Sequence, residues 1–288
     1  MSELRLFIGF FSDALRSVPK NRKALLFAMV LTAGSADFLS MLLESGAPLE
    51  RYQPILVALL AEHPSFLLSI PTVLGIATFA KGGLVLALSE KSLAMNGMIK
   101  RSISLFPKLF GLEVLFILSS LLILSALLIP AILTQETPSL GTNLAFLGLV
   151  IFLPIFLVLT FVEAYAFFYI VLSKTSFRTS IELGYSLFMR RVATSIIFGI
   201  VSVVVLLGAS LISGAFLGIG NGLLQDSMKR TVAIIFGLFI IQSSLVLIQK
   251  SAWISFFRFI ATEDGSKEEA SASQETENVI QREVPEIG

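Results

Sequence analysis

The chain has 288 residues, with 21 Lys and Arg against 20 Asp and Glu, so its formal net charge is +1 and no global field draws it to nucleic acid. It is 55% hydrophobic and only 14% charged, with a mean hydropathy of +0.89; a soluble domain carries about 25% charge, so the composition points to membrane helices instead. There is no cysteine, which excludes disulfides and thiolate metal sites.

In chain order, the first segment, MSELRLFIGFFSDALRSVPK, has Asp13 and Arg16 inside its apolar pattern and no small-residue cleavage site. It does not read as a cleaved signal peptide. Phe7, Phe11, Ala14, Leu15 and Val18 follow i, i+4, i+7, i+8, i+11, which predicts an amphipathic helix lying in the membrane interface. The first span is expected at 24–43 and contains Asp37. After an outer loop holding His63, the only histidine, the second span is expected at 66–89 with Lys81 inside it. A second amphipathic helix follows, on Met95, Ile99, Ser102, Ile103 and Phe106.

Spans three and four are expected at 109–133 and 143–172. Glu113 falls near the inner end of span three, at headgroup level, while Glu163 is deep in span four. The third amphipathic helix is predicted on Phe177, Ile181, Gly184, Tyr185 and Phe188, followed by spans at 192–219 and 231–250. Within span five, Ser210, Gly214, Gly218 and Gly222 recur every fourth residue, a small-residue ridge of the kind that lets another helix approach closely. GIGNG at 218–222 follows no strand and lacks the Lys-Ser/Thr ending of a phosphate loop. Trp253, the only tryptophan, is expected as a headgroup anchor at the inner end of the last span. The segment 262–288, EDGSKEEASASQETENVIQREVPEIG after its first residue, is acidic and poor in aromatics and is expected to be a disordered cytoplasmic tail. The chain thus divides into an integral membrane domain, 1–261, and that tail.

Basic residues set the expected orientation. Arg5, Arg16, Lys20, Arg22 and Lys23 precede span one; Lys91, Lys100, Arg101 and Lys108 join spans two and three; Lys174, Arg178, Arg190 and Arg191 join four and five. The opposite side has only Arg51, Lys229 and Arg230. Both termini are therefore expected in the cytoplasm of a multi-pass cell-membrane protein.

The basic links also resemble one another. SISLFPKLF at 102–110 and SIELGYSLF at 180–188 share S-I-x-L-x-x-x-L-F, and ALRSVPK at 14–20 parallels SISLFPK, with Pro19 over Pro107. The expected fold is an all-α polytopic bundle of six transmembrane helices, three repeats of an amphipathic elbow helix plus a transmembrane hairpin. This layout, with its RSISLFPKLF-like elbows, resembles poorly characterised prokaryotic six-span membrane proteins related to the membrane region of glycerophosphoryl diester phosphodiesterases. The resemblance covers residues 1–260. The soluble phosphodiesterase barrel is absent, so the resemblance implies an architecture and no catalytic residue.

A charge within a span costs about 2.5–3.5 kcal/mol unless it is partnered. Lys81 lies ten residues from Lys91 and Glu163 eleven from Lys174, at about 15 and 16 Å from the inner surface. The two are expected to pair, with Asp37, about 21 Å deep, as the rival partner. The other reading makes Lys81, Glu163 and Asp37 a polar path for a proton, ion or headgroup. Enzyme chemistry finds little support: one histidine without a carboxylate cluster holds no metal, Ser213 has no histidine in any span to activate it, and Asp37 is the only intramembrane aspartate. The expectation is a non-enzymatic protein without cofactor that binds membrane lipid, a membrane-protein partner or a copy of itself. The alternative is a small transporter or permease component.

Overall fold

The computed structural model of the protein describes residues 2–17, 21–33, 69–90, 92–134, 138–223 and 236–262. Among these residues the fold is all-helical, with no strand. The helices are α1 (Ser2–Ser17), α2 (Arg22–Ala33), α3 (Ser69–Ser89), α4 (Met95–Leu133), α5 (Pro138–Leu172), α6 (Phe177–Arg190), α7 (Val192–Leu223) and α8 (Phe236–Thr262). Four are long and apolar enough to cross a membrane: Pro71–Ser89 of α3, all of α4, Ser139–Leu172 of α5, and α8. A fifth arises if α6 and Val192–Gly208 of α7, bent by 92° at their junction, form one broken span. Half of the expected first span, residues 34–43 with Asp37, lies outside the described residues, as does the tail from 263 onward.

Local chemistry sets the breaks. Asn21 Oδ1 accepts the Ala24 N–H at 3.2 Å and caps α2. Helix α5 ends with Lys174 in the left-handed region, φ 57°, and the Thr175 N–H donates back to the Tyr169 carbonyl at 3.4 Å, closing the helix end. Ser176 then caps α6, its Oγ accepting the Thr179 N–H at 3.3 Å. At its other end the Arg191 N–H donates back to the Leu187 and Phe188 carbonyls, so the third amphipathic segment is a separate helix, and it meets its span at 92°.

The second amphipathic segment differs from expectation. It is continuous with span three as the 39-residue α4, with Pro107 inside the helix. Met98, Ser102, Leu105, Leu109 and Leu112 bury one unbroken stripe across the expected boundary, so packing carries the helix past the proline. The buried faces are also narrower than the expected spacing. The residue at i+8 is exposed in each segment, with Leu15 at 61%, Ile103 at 59% and Tyr185 at 51%. The serine and second leucine of the shared motif are buried in both copies, as Ser102 with Leu109 and as Ser180 with Leu187.

Two close approaches hold the hairpins. A Cβ on Gly184 of α6 would lie 2.9 Å from Ala166 N and Val162 O of α5, and one on Gly148 of α5 would lie 2.9 Å from Leu127 O of α4. Helix α1 packs on the far end of the chain: Phe7 meets Phe198 of α7 and Phe256 of α8 edge-on at 5.7 and 5.6 Å, and those two rings stack at 4.0 Å. The outer parts of α4 and α5 point large apolar side chains outward, including Leu122, Leu133, Phe146 and Leu153. That is the arrangement expected where lipid is the solvent.

Candidate functional site: a charged cluster beside a lipid-scale groove

Helices α3, α4, α5 and α8 bring four ionisable side chains together. Lys81 Nζ of α3 lies 2.8 Å from Glu113 Oε1 of α4 and 3.5 Å from Glu163 Oε1 of α5. It also stands 4.7 Å from the centroid of the Phe167 ring, a cation–π contact. The Thr78 hydroxyl, one helical turn before Lys81, donates to the other Glu113 oxygen, Oε2. Glu113 is almost fully buried, whereas the side chains of Lys81 and Glu163 stay 22% and 27% exposed. They line a cavity of about 210 Å³ with Thr160, Gln249, Lys250 and Trp253.

The expected Lys81–Glu163 approach is present, but Glu113 is the nearer partner. Glu113 is not at headgroup level, as a span beginning at residue 109 predicts. In the structure Arg101 pairs with Glu90, donates to the Val171 carbonyl at 3.3 Å, and so fixes that part of α4 level with the ends of α3 and α5. Glu113 is twelve residues further on, about 18 Å along the helix. Asp37, the third member of the expected cluster, lies outside the described residues. Of the ridge Ser210, Gly214, Gly218 and Gly222, surroundings are described only for Gly214, where an added Cβ would meet nothing within 4 Å.

The apolar run places Lys250 at the end of span six, outside any cluster. Helix α8 instead continues twelve residues to Thr262. The signal was present: SAWISFFRFIA keeps an apolar face after the lysine. For the same reason Trp253 is no terminal anchor; it packs against Phe161 and Phe198 at 5.5 and 5.1 Å. Tyr165 of α5 is fully buried and shares a 2.6 Å hydrogen bond with Ser195 of α7.

Next to the charged cavity runs an apolar groove of about 450 Å³ between α5 and α7, lined by Leu153, Phe156, Phe161, Ile200, Val203 and neighbours. It shares Thr160, Gln249 and Trp253 with the cavity. The buried Ser202 hydroxyl, also lining the groove, has no hydrogen-bond partner among the described residues.

Several long apolar helices enclosing a partnered charge cluster define a membrane-embedded helical protein. Comparison with family models, curated proteins and solved structures finds no match to this chain.

Proposed function

We propose that the chain is a non-enzymatic, multi-pass cell-membrane protein that binds a membrane lipid, with the acyl part in the α5/α7 groove and the polar head at the Lys81–Glu163–Lys250 cavity. The observation that carries this reading is the continuity of an apolar groove with a charged cavity through Thr160, Gln249 and Trp253. An amphiphile needs both halves, and ligand sites pair apolar walls with a few placed polar groups. In this reading the six spans form three elbow-plus-hairpin units with both termini cytoplasmic. The proposed kinship with the membrane region of glycerophosphoryl diester phosphodiesterases concerns that layout alone. The closing helix of each unit then contributes one charge: Lys81 eight residues before Ser89, Glu163 nine before Leu172, and Lys250 twelve before Thr262.

The test is native mass spectrometry from mild detergent, with lipid extraction. Val203→Trp fills the groove at an exposed position. The expected result is a stoichiometric lipid on the wild type that is lost in the variant, with the thermal midpoint unchanged. Equal bulk lipid on both would sink the reading. A second reading, a small transporter component, draws on the partial exposure of Lys81 and Glu163 to the cavity. Flux into proteoliposomes that disappears in Glu163→Gln, with the groove lipid retained, would favour it.

A further inference from the structure

A second cavity, of about 530 Å³, opens at the end of the bundle where α1 stops, α2 begins and α3 ends. Its chemistry is one-sided. Arg22 and Lys23 of α2 and Arg258 of α8 line it together with Ser17, Ser89, Ser251 and Ser255, and among the described residues no carboxylate lines it. Among the described residues none of these three cations has an acidic side chain within 4 Å, although Arg101 and Arg178 do. The Lys23 ammonium spends one donor on the Leu93 carbonyl at 2.8 Å, which fixes its position and leaves two more. Asn21 is held from both sides, donating to the Ala87 carbonyl at 3.0 Å and accepting from Ala24, so the α2 start is tied to α3. The first-turn N–H groups of α2 add to the positive potential. On α8, Ser251, Ser255 and Arg258 stand at i, i+4 and i+7, one face of the helix.

Three uncompensated cations held together are electrostatically unfavourable unless an anion joins them. The Ser17 and Ser89 hydroxyls already donate to the Ala14 and Val85 carbonyls, but two guanidinium forks, an ammonium and the hydroxyls of Ser251 and Ser255 match the several acceptor oxygens of a phosphoryl group better than a single carboxylate. The volume falls within the roughly 300–1,000 Å³ of small-molecule sites. We propose that this cavity binds a phosphoryl anion, supplied either by the headgroup of an anionic phospholipid or by a soluble phosphate. The site shares no lining residue with the Lys81 cavity, so it goes beyond the lipid reading above and stands or falls separately from it.

The experiment uses the full chain. In one arm, phosphatidylglycerol binding is measured by native mass spectrometry from nanodiscs of phosphatidylcholine with graded phosphatidylglycerol. In the other, inorganic phosphate is titrated into the detergent-solubilised protein and the thermal midpoint followed. Arg22→Gln/Arg258→Gln is compared with wild type and with Arg178→Gln, which removes a cation from the exposed face of α6. Each cation near an anionic headgroup contributes several-fold, so the double substitution should weaken binding about tenfold or more. Loss in the nanodisc arm supports a lipid headgroup as the source; loss confined to the phosphate arm supports a soluble phosphate. Arg22→Lys/Arg258→Lys, which keeps charge but not the fork, should fall between. If the double substitution leaves both arms unchanged, or Arg178→Gln lowers binding equally, the proposal is overturned.

Discussion

Glu113→Gln tests the geometry of the charge cluster most directly. The amide is nearly isosteric, so it removes the charge while leaving an oxygen for Lys81 and a group for Thr78. At an effective dielectric near 20, a unit pair attracts by about 6 kcal/mol at 2.8 Å and about 5 kcal/mol at 3.5 Å, before desolvation takes back most of it. Distance alone therefore separates the two glutamates little, and burial decides. Glu113 is almost fully enclosed and hydrogen-bonded by Thr78, whereas over a quarter of the Glu163 side chain meets the cavity. Removing one partner of a buried pair costs about 3–5 kcal/mol. Lys81 keeps Glu163 after the substitution, so Glu113→Gln is expected at the low end, about 3 kcal/mol. Glu163→Gln should cost only about 1 kcal/mol, as a pair open to solvent does. Lys81→Met strands two carboxylates, and the double variant Lys81→Met/Glu113→Gln should recover part of that loss, with a coupling energy of about 2 kcal/mol. The assay is unfolding by sodium dodecyl sulfate in mild detergent, read from the fluorescence of Trp253, the single tryptophan, which sits against Phe161 and Phe198. Glu163→Gln proving as harmful as Glu113→Gln, or strict additivity in the double variant, would refute the reasoning.

Three further outcomes follow from local geometry. Gly184→Ala drives a methyl into the α5 backbone at 2.9 Å and should lower stability by about 1–3 kcal/mol, while Gly214→Ala, with open space around it, should stay within about 0.5 kcal/mol of wild type in the same assay. Tyr165→Phe removes the buried 2.6 Å bond to Ser195 and should cost about 1 kcal/mol, visible as a lower thermal midpoint without loss of helical circular dichroism. Lys174→Gly relieves a left-handed, non-glycine residue and should raise stability by about 1 kcal/mol; a fall would mean that the lysine charge at the helix C-terminus outweighs the backbone term.

Helix positions were legible because runs of twenty apolar residues have one reading in a bilayer, and α3, α4, α5 and α7 fall where those runs lie. The separate α6 was legible from its periodicity, and the basic Arg190–Arg191 pair falls at its right-angle junction with α7. What misled were charges used as boundaries. Lys108 was read as the edge of span three and Lys250 as the end of span six. Both are long side chains that a helix carries past without stopping: Lys108 stretches to the Thr175 carbonyl at 3.4 Å and Lys250 turns toward a cavity. Correcting these two edges moves Glu113 inward and Lys250 inside, and so adds both to the site. The partner choice of Lys81 was not legible at all. Depth along a helix is one coordinate, and Glu113 and Glu163 differ in which face they present, which only packing fixes.

The composition of the two cavities separates what each is suited to hold. Around Lys81 there are two lysines and two glutamates, so the site is balanced before any ligand arrives. With Lys81, Glu163 and Asp37 alone, the charges would sum to −1 within the low-dielectric interior. Lys250 supplies a second cation that lies near the carboxylates without being bonded within 4 Å to a described one. A ligand of net charge would unbalance that set, whereas a zwitterionic headgroup could place its anion toward Lys250 and its cation toward the open oxygen of Glu163 with no net cost. The cavity at the end of the bundle is the reverse case, with three cations and, among the described residues, no lining carboxylate, which is why an anion is the proposed ligand there. The two proposed ligands therefore differ in charge: a neutral amphiphile reached from the groove between α5 and α7, and a phosphoryl anion reached from the end where the helices stop. Raising salt should weaken the second and leave the first nearly unchanged, because screening acts on exposed, uncompensated charge far more than on a buried, balanced cluster.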